Sequence, residues 1–133
     1  MCFAFLLTGC NGRPSRVKVS GKVTCDGKPV EFGGVAFKPV GGGRRAGGGI
    51  ESGGSYTVTM YEKSDGIPVG KYTVTISSAE TLNPRSIRWH APKRYAKHET
   101  SELTVEITKA TSELNFDLTW DGDEHSEPWI EKF

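Results

Sequence analysis

Paired cysteines are missing from this chain: Cys2, Cys10 and Cys25 are an odd set, and none stands in a C-x-x-C pair. They fit neither an even disulfide framework nor a thiolate zinc site. An excess of charge of one sign is also lacking. With 17 Lys and Arg against 16 Asp and Glu, the sequence shows no global electrostatic footprint for nucleic acid or an acidic polymer. No apolar run approaches the about 20 residues that a transmembrane helix requires. Long runs of strong helix formers are absent as well, and 17 glycines punctuate short segments rich in Val, Thr, Tyr, Phe and Ile. That pattern predicts an all-β chain. At 133 residues it is long enough for one domain with a real core and too short for two.

What is present is a repeated period of two. Gly54-Ser55-Tyr56-Thr57-Val58-Thr59-Met60 and Gly70-Lys71-Tyr72-Thr73-Val74-Thr75-Ile76 each place Tyr, then Val, then Met or Ile on one side of a ladder. Such alternation is that of a strand with one buried face. The same pattern gives inward rows of Val17, Val19 and Val23, of Val35 and Phe37, of Leu103, Val105 and Ile107, and of Leu114, Phe116 and Leu118. Gly21 interrupts the first row, as expected where a bulge or a close backbone contact sits. Strands with one apolar face must close on one another, so a two-layer β-sandwich of about seven strands is predicted over residues 16–119.

Residues 1–15 read differently. Met1 to Cys10 is an apolar run ending in Leu7-Thr8-Gly9-Cys10, followed by a polar, breaker-rich linker with Arg13 and Arg16. This resembles the end of a bacterial lipoprotein signal peptide, and the resemblance implies that the Cys10 thiol takes the lipid and becomes the first residue of the mature chain. The run has no Lys or Arg before it, which a start codon further upstream would supply. The two arginines would then lie near anionic headgroups.

Three other stretches attract attention. Gly41 to Gly49 is a glycine-rich segment with Arg44 and Arg45, but a strand rather than a helix follows, so a mobile surface loop is expected instead of a phosphate cradle. Ser77 to Glu102, interrupted by Pro84 and Pro92, is too long for a turn and is expected to be a crossover loop. Within it, Arg85, Arg88, Lys93, Arg94 and Lys97 are interleaved with Trp89, His90, Tyr95 and His98. Cations beside exposed aromatics can grip a polyanion, a glycan or a protein, and Arg88, Trp89 and Arg94 are the candidate contact patch. Residues 120–133 form an acidic, Trp-containing tail whose Trp129, Ile130 and Phe133 suggest a stub folded onto the sandwich edge.

Chemical motifs fall short on inspection. His98-Glu99-Thr100-Ser101-Glu102 lacks the second His of a zinc protease helix, and Gly66 to Lys71 is one residue short of a P-loop. Asp121-Gly122-Asp123-Glu124 lacks the alternate spacing of a calcium loop. Cys25 beside the Asp26-Gly27 turn has no neighbouring His to activate it and reads as a plain semi-buried residue. No catalytic, cofactor or metal residue is assigned.

The order VSGKVTCDGKPV, GGSYTVTM, GIPVGKYTVTI and PKRYAKHETSELTVEI leading to LNFDL resembles the transthyretin-like, or carboxypeptidase regulatory-like, β-sandwich family, in its short bacterial lipoprotein form. The resemblance covers about Val17 to Leu118. It implies a Greek-key sandwich that is extracytoplasmic and non-catalytic. The fold also hosts a small hydrolase whose catalytic set and tyrosine-containing ending have no match here. The expectation is therefore an envelope lipoprotein, held to the membrane at Cys10 as a monomer, that contacts an envelope protein or glycan and not nucleic acid. The alternatives are an accessory polysaccharide-binding module for envelope enzymes and, further off, a small hydrolase.

Overall fold

A computed structural model describes residues 14–133. Cys10 and the apolar run before it lie outside the described residues. The elements in order are β1 (Ser20–Cys25), β2 (Lys28–Pro29), β3 (Gly34–Pro39), β4 (Ala46–Gly49), β5 (Ser55–Thr57), β6 (Gly70–Ser77), β7 (Ala79–Asn83), β8 (Ser86–Trp89), a 3-10 helix (Lys93–Ala96), α1 (His98–Ser101), β9 (Leu103–Ile107), β10 (Phe116–Leu118) and β11 (Trp129–Lys132). The chain is all-β, and two four-stranded sheets form a sandwich.

In the first sheet, β1 pairs with β10 in parallel and with β5 and the two-residue β2 antiparallel. The second sheet runs β4-β3-β6-β9 and is antiparallel throughout. Phe37 of β3 meets Tyr56 of β5 and Phe116 of β10 at ring separations of 6.4 and 6.3 Å, so the two inner faces share one aromatic centre. Every inward residue read from the sequence is either buried, as are Val23, Phe37, Val58 and Val74, or packed against the core, as are Val17, Met60, Leu103, Val105 and Leu114. The period-two rows are in register.

Two glycines explain how closely the backbones approach. A Cβ on Gly21 would stand 2.0 Å from the Leu114 carbonyl oxygen, so the break in the first inward row is a close contact. A Cβ on Gly48 would stand 2.0 Å from the Thr57 oxygen. This corrects the expectation of a surface loop over residues 41–49. Its second half is β4, bridged to the sandwich through Gly47 and Thr59, and small residues are needed because the strand is hemmed in on both sides.

The crossover segment also differs from a loop. It folds as the β7–β8 hairpin, turned at Asn83-Pro84-Arg85, followed by the 3-10 helix and α1, which pack against β6. Pro84 supplies the fixed φ of a turn rather than a break in the fold. The acidic tail supplies β11, which pairs with β8 rather than with a sandwich edge, giving a separate β11-β8-β7 sheet. Trp120, at the head of the tail, is buried with the main core.

Candidate functional site

One concave feature lies where the β11-β8-β7 sheet faces the β1–β2 turn. Register alignment puts Trp129, Trp89 and Ala79 in one cross-strand row and Ile130, Arg88 and Glu80 in the next. Successive residues of a strand point to opposite faces, so these rows belong to different sides of the sheet. Arg88 shares its face with His90, two residues on, and Ile130 shares its face with Pro128.

His90 and Pro128 line one wall of a cleft of about 200 Å³, with Lys28, Pro29, Val30 and Glu31 opposite and Cys25 and Trp120 completing the lining. The His90 ring is held at 5.5 Å from the Phe32 ring, and its Nε2 lies 2.9 Å from Glu80 Oε1. Phe32, Arg88 and Ile130 are exposed. Arg88 and Ile130 pair across the strands two residues from His90 and Pro128 of the lining, and Arg88 makes no side-chain hydrogen bond or ion pair among the described residues.

The Cys25 thiol does not make this cleft a nucleophilic site. Burial, and after it the Asp26 carboxylate, push the thiol up to about 11, against a smaller opposing pull from Arg94. Thiolate is scarce at neutral pH. Glu80 engages one ring nitrogen of His90, Nε2, from within the same sheet.

The three residues singled out in the crossover segment are not brought into one exposed patch. Arg88 is exposed, but Trp89 is on the other face and only 8 % exposed. Its indole N–H donates to Glu131 Oε1 at 2.9 Å, while Lys93 Nζ bonds the same carboxylate at 3.1 Å and stands 5.6 Å from the indole ring centre. The Trp89 hydrogen bond first, and then Lys93, hold the Glu131 carboxyl below the ordinary carboxylate value despite partial burial. Arg94 is bound from two sides. Its guanidinium donates to Thr119 O at 2.8 Å, Asp121 O at 3.0 Å and the Tyr95 hydroxyl at 3.1 Å, and pairs with Asp123 at 3.3 Å. Adjacent positions on a strand cannot share a face, and the acids that engage Lys93 and Arg94 come from the tail, not from Glu80 or Glu99. Tyr95 is buried in the core.

No group of three or more potential metal ligands occurs among the described residues. No described helix is long and apolar enough to cross a membrane. Comparison of the chain with protein-family models, curated proteins and solved structures gave no match.

Proposed function

We propose that this is a non-catalytic envelope lipoprotein of transthyretin-like Greek-key design, tethered through Cys10, whose β11-β8-β7 sheet and adjoining cleft engage an envelope protein or glycan. The observation that carries the binding role is the cleft itself: His90, Trp120 and Pro128 line it, and exposed Arg88 and Ile130 pair with each other two residues along their strands from His90 and Pro128. Rigid elements that present apolar area beside a free guanidinium suit recognition more than chemistry. The suppressed Cys25 thiol supports the absence of catalysis by that residue. The anchoring part draws on the sequence around Cys10, and the family part on the motif order and the two-sheet core.

Two measurements test this reading. The chain expressed from its native start is expected in the membrane fraction, with Cys10→Ala released; equal solubility of both forms would refute the anchor. Arg88→Glu combined with Ile130→Ser is expected to abolish retention on isolated envelope polysaccharide or on a partner protein captured from envelope extract. Full retention by the folded double variant would remove the site from this sheet. Retention on purified polysaccharide free of protein would favour an accessory glycan-binding module.

A further inference from the structure

We propose that the end of the sandwich from which the N-terminal segment departs is the membrane-facing side of the protein, seated on the headgroups of an anionic phospholipid bilayer. This rests on the reading of Cys10 as the lipid-bearing residue.

Residues 14–18 converge there with the loops 39–45, 59–69 and 107–113. Val17 and Ile67 exchange backbone hydrogen bonds of 2.9 and 3.0 Å, and Val19 bridges to Thr111. Pro14, Gly43, Arg44 and Val69 line one hollow of about 330 Å³. Two guanidiniums stand over the Tyr61 ring, that of Arg16 at 5.1 Å and that of Arg44 at 4.4 Å. Arg16 also pairs with Asp65 at 3.1 Å. Burial would raise the Asp65 carboxyl, but the backbone N–H groups of Met60, Glu62 and Tyr61, together with Arg16, hold it down at about 2. That pair is internally neutralised, and the N-terminal strand is fastened to this end.

What remains is a surplus of positive charge. Lys18, Arg45, Lys63 and Lys109 are exposed and form no ion pair among the described residues. Across these loops six Lys and Arg stand against three Asp and Glu, whereas segments 26–33, 50–54, 77–102 and 119–133 carry seven against eleven. A chain that is neutral overall is therefore polarised along its length, and its basic end is the one the N-terminus leaves. Val40 and Val69, 64 % and 58 % exposed, project from the same loops.

Chain length fixes the separation. The four residues from Cys10 to Pro14 reach at most about 14 Å when fully extended. Acyl chains at Cys10 thus hold the basic loops close to the about 8–10 Å over which headgroup charge is felt. A cation near such a surface strengthens attachment about fivefold.

The test uses the full chain carrying Cys10→Ser, so that binding does not depend on acylation. This protein is expected to co-sediment with phosphatidylcholine vesicles containing about 30 % phosphatidylglycerol and far less with pure phosphatidylcholine. Arg45→Glu with Lys63→Glu should weaken binding by about 25-fold or more, at about fivefold per cation. Lys18→Glu with Lys109→Glu serves as an independent second pair if the first fails to fold. Arg85→Glu with Lys132→Glu, at the other end, should leave vesicle binding unchanged. Equal binding to neutral vesicles, or equal sensitivity at both ends, would overturn the proposal. Binding to soluble heparin without binding to the anionic vesicles would likewise overturn it, in favour of a polyanion site. Failure here while the native chain stays in the membrane fraction and Cys10→Ala releases it would remove the orientation and keep the anchor.

Discussion

Replacing Tyr56 by Phe probes the joint between the two ends of the first sheet. Tyr56 is 1 % exposed and its hydroxyl donates to the Leu114 carbonyl at 2.5 Å, across 58 residues of sequence. Deleting the hydroxyl leaves that carbonyl without this donor, which costs about 1–3 kcal/mol, or a melting shift of about 3–6 °C per kcal/mol in a domain of this size. Truncation to Ala, which also strips contacts with Phe37 and Phe116, costs more, about 3–5 kcal/mol. Alkaline pH separates the hydroxyl from the packing. Burial raises the Tyr56 phenol well above its ordinary value near 10. Once pH passes 10, the unfolded chain loses this proton and the folded chain keeps it, so stability falls as pH rises. From a phenol that stays protonated in the fold, the loss at pH 11 is about 1.4 kcal/mol. Tyr56→Phe lacks this loss, while Tyr72 and Cys25 titrate equally in both proteins. Urea midpoints followed by far-ultraviolet circular dichroism should show a gap between wild type and variant that is wide at pH 8 and about 1.4 kcal/mol narrower at pH 11. A gap independent of pH, or none at pH 8, would refute the assignment of the hydroxyl.

Gly48→Ala is expected to destabilise by about 1–3 kcal/mol because its Cβ meets the Thr57 backbone, while Gly41→Ala, which faces open space, leaves the melting temperature unchanged. Cys25, with its thiol pushed up to about 11 and little of it exposed, should resist alkylation at pH 8 in the folded protein and react on unfolding, as read by peptide mass mapping. The Glu131 carboxyl is held below its ordinary value by the fold, so its contribution is present above that value and lost as pH falls through the folded one. Amide exchange in β11 should accelerate there before exchange in β6 does, and equal protection of both strands would contradict this.

The strands of the main core were legible because their buried faces impose a period of two that no loop reproduces. Phe37, Tyr56 and Tyr72 could be oriented from their neighbours alone. β4 could not, since Ala46-Gly47-Gly48-Gly49 carries no apolar row; what qualifies it as a strand is the space that its missing side chains leave for β3 and β5. The β7–β8 hairpin was hidden by the register shift between Thr81 and Asn83, which breaks the alternation where it would have been counted. β11 has four residues and, among the described residues, pairs with β8 alone. The polar contacts of the candidate site were further out of reach. Charge balance weighed over nearby sequence leaves Lys93 and Arg94 short of acids, whereas the fold brings them Glu131 and Asp123, 38 and 29 residues away.

That pairing changes what Arg94 can mean for function. The main core is held by apolar contact between sheets, but the tail is fastened to the crossover segment largely by hydrogen bonds and ion pairs: Arg94 to Thr119, Asp121 and Asp123, and Lys93 with Trp89 to Glu131. Pro128, on the cleft wall, lies in the chain between those two sets of bonds, so the shape of the cleft depends on them. A guanidinium with several fixed acceptors is not replaced by an ammonium, which lacks the planar fork. Lost binding after a change at Arg94 would therefore report a displaced wall as readily as a lost contact. Arg88 makes no side-chain hydrogen bond or ion pair among the described residues and holds nothing in place, so its charge can be reversed without touching the wall. Of the two arginines, Arg88 is the one whose substitution separates contact from positioning.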